Sequence, residues 1–100
     1  MFTFDRIFSE KVPTQEIFDT SVKELVETAM SGMNVTVFAY GQTSSGKTYT
    51  MRGYDKKDPG LIPLSIQQVF DCITNDKERS YQISVSYLEV CRNITDLTVF

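Results

Sequence analysis

Histidine and tryptophan are missing from this chain of 100 residues, and cysteine occurs only twice, at Cys72 and Cys91. Without imidazole, and with two cysteines that are not spaced as metal ligands, a zinc site has no nitrogen donors to draw on. Two cysteines are also too few for a disulfide framework, so both are expected to be reduced thiols in a cytosolic protein. Excess charge is scarce: 13 acidic residues against 10 basic ones give a formal charge of -3, with no run of five or more like charges. Such a balance attracts neither nucleic acid nor a membrane surface. No long apolar run opens the chain, and Asp5 interrupts the first residues, which argues against a signal peptide. Residues 30–46 are uncharged but too rich in Ser, Thr, Asn and Gly for a transmembrane helix. The triplets Asn34-Val35-Thr36 and Asn93-Ile94-Thr95 match the glycosylation acceptor pattern, yet without a secretory context they read as chance matches. What is present, 41% hydrophobic residues and 12% aromatics, suffices for one ordinary globular core, so one domain or part of one is expected.

Phe2 and Phe4 alternate with polar neighbours and predict a short strand ending near Phe8, followed by a loop over residues 9–13. Thr14 reads as an N-cap, with Glu16 in the first turn complementing the helix dipole. Phe18, Val22, Leu25, Val26, Ala29, Met30 and Met33 then form one helical apolar stripe, ended by Gly32. Residues 35–40 are apolar, β-branched or aromatic and too few for a buried helix; they predict a strand covered on both faces. A helix should open near Lys47, be interrupted by an exposed loop ending at Gly60, and resume at Ile62, Ile66, Val69, Phe70 and Ile73, with Pro63 in its first turn. Tyr81, Ile83, Val85 and Tyr87 alternate with polar residues in a third predicted strand. The order strand, helix, strand, glycine loop, helix, strand is that of consecutive crossover units with parallel strands. The glycine loop falls at a strand's carboxyl end, where open α/β sheets bind ligands.

That loop, GQTSSGKT at residues 41–48, fits the pattern G-x-x-x-x-G-K-[ST]. A nucleoside polyphosphate is bound by backbone amides converging from a tight loop and from the start of the following helix. Side chains at Gly41 and Gly46 would obstruct that approach or demand forbidden dihedrals. Lys47 can reach the β- and γ-phosphates as a point charge, and the Thr48 hydroxyl can join a magnesium shell. Gln42, Thr43, Ser44 and Ser45 supply further amides. Charge-assisted hydrogen bonds of about 1.5–3 kcal/mol each make a handful sufficient for micromolar affinity. The bland alternative is a glycine- and serine-rich turn that matches by accident.

FTFDRIF, NVTVFAYGQTSSGKTYTM, GLIPLSIQQVFDCI and VSYLEV, taken together and in this order, closely resemble the kinesin motor domain. The likeness runs from Phe2 to about Leu97, and residues 38–51 are specific to that family among P-loop proteins; myosins, its structural relatives, carry a differently composed loop. The resemblance implies an α/β, P-loop NTPase-like fold with a central sheet flanked by helices, here incomplete, with residues 1–100 as the ATP-binding part of a motor domain. It implies that Gly41, Gln42, Thr43, Ser44, Ser45, Gly46, Lys47 and Thr48 bind ATP and Mg2+, with Thr48 on the metal, and that Tyr49 lies beside the adenine. It also implies that residues 52–61 form the loop interrupting the P-loop helix, that microtubules are the partner through other parts of the motor, and that the cytoplasmic microtubule cytoskeleton is the location. FDRIF and ITDL resemble the centromere-associated mitotic branch.

Departures accompany the likeness. Where the family continues with Tyr-Asn-Glu and ends the stretch in Asp-Leu-Leu, this chain has Cys91-Arg92-Asn93 and Leu97-Thr98-Val99-Phe100. The family's N-terminal strand with its adenine-contacting Arg and Pro, its serine-rich first switch, its Asp-Gly second switch and its basic tubulin-binding elements are not among these residues. Hydrolysis needs a metal-holding Asp at the end of an apolar strand and groups that place the attacking water, so no residue here is expected to be catalytic. Glu89 reads as a strand-end or solvated carboxylate, Tyr81 and Tyr87 as packing residues, and Lys56 and Lys57 with Asp55 and Asp58 as a solvated loop. Three functions follow as expectations: the ATP-binding part of a microtubule motor, a truncated or diverged nucleotide-binding module without turnover, and a fragment with no function of its own.

Overall fold

The computed structural model describes residues 1–90, so Cys91 and the divergent end of the chain lie outside the described residues. Among the described residues four α-helices occur in the order α1 (Thr14–Ile17), α2 (Lys23–Met30), α3 (Lys47–Arg52) and α4 (Leu61–Asn75), with a π-helical turn, Phe18–Val22, joining α1 to α2. No strand forms among the described residues.

Helix α1 opens one residue earlier than the Thr14 cap predicts. Pro13, with φ -66 and ψ 150, holds the extended cap position without a side-chain bond, and Thr14 becomes the first helical residue, 4% exposed. Proline's fixed φ suits that place, and Pro13 lacks only an N–H that a helix start leaves unused. Glu16 sits in the first turn as predicted. The π turn inserts extra backbone into the ladder, and Ser21 Oγ is buried there without a partner. Helix α2 ends at Met30, and Gly32 turns the chain at φ 105, leaving Met33 outside the helix and exposed.

The core is small: among the described residues Phe18, Val22 and Leu61 are the buried apolar side chains, with Ile17, Val26, Met51 and Leu64 packed partly against them. It sits where the π turn and α2 meet α4, and Gln68 Nε2 donates to Glu27 Oε1 at 3.1 Å across the same pair. The apolar stripes of α2 and α4 do not close on each other completely. Leu25, Ala29, Ile62 and Ile66 line an open apolar groove of about 330 Å3 that Val35 and Val37 also reach. Accessible surface totals 9341 Å2, against roughly 5,800 Å2 for a compact chain of this mass.

The three predicted strands are therefore corrected. Residues 2–8, 35–40 and 81–87 carry no strand, and among the described residues no backbone hydrogen bond joins any of them to another. The expectation that residues 35–40 are covered on both faces also fails: Phe38 is 80% and Tyr40 95% exposed. The physical reason is the helix arrangement. Because α2 packs on α4, both helices form one layer, and a parallel sheet laid on it would have its other face bare, which parallel sheets do not sustain. A strand exists only as a member of a ladder, and these segments have the side-chain pattern without the cover.

The loop between α3 and α4 is more ordered than its composition suggests. Gly53 and Pro59 form an isolated antiparallel bridge, and Tyr54 N donates to Asp58 O at 3.1 Å. Asp55 Oδ1 accepts from the backbone N–H groups of Lys57 and Asp58 at 2.7 and 3.0 Å, an Asx-type turn. Gly53 lies at φ 82, ψ -179, a region open essentially to glycine. A Cβ there would come within 2.3 Å of Gly60 N and 2.5 Å of Asp58 O. Gly60 is buried at the head of α4, so the two glycines bring the loop's ends into backbone contact. Helix α4 then runs with Pro63 in its first turn, as predicted.

Gly53→Ala is expected to destabilise the helical layer by roughly 2 kcal/mol or more, since neither the dihedral nor the space admits a side chain. Lys57→Ala, an exposed change in the same loop, should stay within about 0.5 kcal/mol. Urea titration followed by circular dichroism compares the two.

Candidate nucleotide-binding site

The glycine loop forms the turn that carries the chain into α3. Ser45 N donates to Gln42 O at 3.2 Å, closing a tight turn in which Ser44 takes the left-handed region at φ 64. Gly46 caps α3 at φ 92, and Thr50 N donates back to its carbonyl at 2.9 Å. The two glycines serve different ends. A Cβ on Gly41 would lie 2.5 Å from Ser45 Oγ, whereas one on Gly46 would meet nothing within 4 Å and would project into open space. At Gly46 the requirement is thus the dihedral, and the space above the loop stays clear for a ligand.

Lys47, the first residue of α3, folds back over this turn. Its Nζ donates to Gly41 O at 2.8 Å and also to Gln42 O, so the ammonium sits over the loop's own carbonyls. Thr48 is exposed, and its hydroxyl has no hydrogen-bond partner among the described residues. Gln42, Thr43, Ser44 and Ser45 are exposed as well. The structure thus gathers residues 41–48 into one exposed cap, with the Lys47 ammonium above it and, among the described residues, an unpartnered Thr48 hydroxyl beside it. A lysine point charge, a hydroxyl and a glycine-bounded turn are a donor set that fits a polyphosphate with Mg2+.

Tyr49 lies on the next position of α3 with its ring 49% exposed. Its hydroxyl donates to the Asp58 carboxylate, a contact that ties α3 to the interrupting loop. That hydrogen bond is the main cause raising the phenol above its ordinary value of 10.0, and desolvation and the carboxylate's charge act in the same direction. Asp58, expected to be merely solvated, is instead half-buried and engaged. No helical or strand periodicity links positions nine apart across a loop, so nothing in the sequence flagged this pair.

A second cleft, about 480 Å3, opens on the other side of the lysine, where Lys47 and Thr48 share the lining with Arg52, Tyr87 and Glu89. Glu89 ends no strand here; it accepts from the Tyr87 hydroxyl at 3.5 Å and stands at the same cleft as the P-loop lysine. Tyr87 is 63% exposed, so its expected packing role is corrected: among the described residues no sheet covers it. Tyr81 is half-buried, and its hydroxyl donates to Asp76, which in turn accepts from the N–H groups of Glu78 and Arg79 at 2.9 and 3.2 Å. These bonds, the one from Tyr81 foremost, hold the Asp76 carboxyl below its usual value and fix the turn after α4. Cys72 is a free, half-buried thiol on α4. Among the described residues there is no cluster of three or more acidic or thiol ligands that could hold a metal ion, and no helix is long and apolar enough to cross a membrane.

Phenol titration tests the Tyr49 tether. The folded value lies above the unfolded one, so the contribution to stability is fully present below about pH 10 and is lost as pH rises through the folded value. Asp58→Ala is expected to bring the Tyr49 phenol down toward the ordinary range in a residue-resolved NMR titration while Tyr81, raised by its own bond to Asp76, stays in place, and Lys57→Ala to leave both unchanged.

Comparison with known proteins gives a consistent result. The family model of the kinesin motor domain matches residues 1–99. Kinesin-related protein 11 of Dictyostelium discoideum is 51% identical over 89 residues, which is 89% of this chain and 13% of that protein. Kinesin-like protein KIN-7O of Arabidopsis thaliana is 48% identical over 97 residues, 96% of this chain and 8% of that protein. Kinesin-like protein KIN-7I of Oryza sativa subsp. japonica is 46% identical over 99 residues, 98% of this chain and 8% of that protein. The chain therefore spans about a tenth of the length of these curated relatives.

Proposed function

This chain belongs to the kinesin motor domain family, and from that premise we propose that it is the ATP-binding part of a microtubule motor. Gly41, Gln42, Thr43, Ser44, Ser45, Gly46, Lys47 and Thr48 hold the phosphates, Tyr49 lies beside the base, and Thr48 contributes a hydroxyl to Mg2+. The observation that carries the reading is the placement of Lys47 Nζ over the carbonyls of Gly41 and Gln42, inside an exposed loop of the right sequence. There the ammonium is held by two neutral acceptors, and an anionic phosphate oxygen attracts it more strongly because it adds a full opposite charge. Mg2+, when bound, would offset the negative charge on the phosphate oxygens. The family's fold supports a P-loop NTPase-like sheet in the complete motor, where residues 35–40 would find the cover they lack here.

Microtubules are the proposed partner, through basic elements elsewhere in the motor, and the microtubule cytoskeleton is the proposed location. Neither nucleic acid nor a membrane is proposed as a partner, given the charge of -3 without a basic cluster. Assignment to the centromere-associated branch rests on the FDRIF and ITDL likeness alone. For these 100 residues taken by themselves, a second reading is favoured by the small core of Phe18, Val22 and Leu61: a nucleotide-binding segment without turnover.

In the complete protein carrying this segment, Lys47→Ala should abolish nucleotide binding, because it removes the only cation of the loop. Titration with a fluorescent nucleotide measures this, and equal affinities for wild type and variant would count against the assignment. Thr48→Ala should reduce the Mg2+ dependence of binding more than binding itself, since water can replace one hydroxyl ligand. Affinities with Mg2+ and with a chelator separate the two effects.

The 100 residues alone are expected neither to hydrolyse ATP detectably nor to sediment with microtubules. Co-sedimentation should leave them in the supernatant, or aggregated whether microtubules are present or not, given exposed Phe38, Tyr40 and Val85. Microtubule-stimulated phosphate release that is lost on Lys47→Ala would overturn this.

A further inference from the structure

We propose that Asp58 is a positioning residue for nucleotide binding: its carboxylate holds the Tyr49 ring in place as a stacking surface for the base. The inference rests on the reading of residues 41–48 as the phosphate loop with Tyr49 beside the base, and it adds a residue from the interrupting loop to that site.

Three observations carry it. Tyr49 stands two positions after Lys47, so its ring is fixed in register with the phosphate-binding cation by the first turn of α3. One end of the ring is tethered, through the hydroxyl, to Asp58, while the residue as a whole remains about half open to solvent. An aromatic side chain that is anchored at its tip and half open to solvent suits a flat heterocycle. Asp58 is itself held on both sides: its N–H donates to Asp55 Oδ1 at 3.0 Å, and its carbonyl accepts from Tyr54 N at 3.1 Å. The next residue, Pro59, is bridged to Gly53, whose contact with Gly60 closes the loop. The anchor is thus a rigid loop rather than a mobile side chain. Without it, the ring's rotors would have to be frozen when the base binds, a cost of about 0.5–1.5 kcal/mol for an interface side chain.

Stacking is tolerant of base identity, because every base presents a π-face. Asp58 should therefore matter for any nucleoside triphosphate and not for a ligand lacking a base. In the complete protein carrying this segment, affinities for ATP, GTP and inorganic tripolyphosphate, each with Mg2+, are compared for wild type, Asp58→Ala, Asp58→Asn, Tyr49→Phe and the Tyr49→Phe/Asp58→Ala double variant. Asp58→Ala is expected to weaken ATP and GTP by a similar factor, about two- to tenfold, and to leave tripolyphosphate unchanged. Asp58→Asn, which keeps an oxygen acceptor, should recover most of the loss, and Asp58→Ala should add nothing further in the Tyr49→Phe background.

Equal weakening of ATP and tripolyphosphate would reduce Asp58 to a structural role and overturn the proposal. So would undiminished ATP affinity in Asp58→Ala, or an Asp58 effect that persists without the Tyr49 hydroxyl. Wild-type protein that binds tripolyphosphate as tightly as ATP would overturn the place of Tyr49 beside the base while leaving the phosphate loop intact. Wild-type protein that binds neither ligand would remove the phosphate-loop reading itself.

Discussion

Among the described residues the helical packing depends on one cluster, in which Leu61 at the start of α4 meets Phe18 and Val22. Phe18 and Val22 bracket the π turn, so the irregular segment is also the segment that meets the partner helix. Met51, at the end of α3, packs partly against the same cluster. The helix that carries Lys47 and Tyr49 is in this way joined to the core through Met51, in addition to the Gly53–Gly60 neck. Few side chains are involved, which is why the surface stays so large.

The helices were legible in the sequence because each carries its own signal. The apolar spacing of residues 18–30, the glycine before Lys47, and Pro63 ahead of Ile66, Val69 and Phe70 all act within a turn or two of the residues concerned. Strands depend on a neighbour. The alternation at residues 81–87 states which face of a ladder each side chain would take, but not that a ladder is present, and with both helices in one layer it is not. The Thr14 cap missed by one position because Pro13 competes for the same extended place and wins through its fixed φ.

At the site the division is similar. Residues 41–48 were legible because backbone geometry, charge and spacing are all local to eight positions, and the structure keeps them together as one exposed turn. The Tyr49–Asp58 pair was not, since it depends on how a loop closes on itself. Glu89 and Tyr87 reach the Lys47 cleft across the helical layer, a relation that no pattern within their own segment encodes.

The contact between Gly53 and Gly60 separates two things that a loop ordinarily couples. Since the chain leaves α3 and enters α4 at one point, with backbone meeting backbone, the helices' mutual orientation is fixed at the neck and not by what lies beyond it. Lys56 and Lys57, which lie outside the contacts that anchor Asp58, are thereby free to change without moving Leu61 or Lys47. Diversity can accumulate a few residues from the nucleotide-binding cap while the cap keeps its shape.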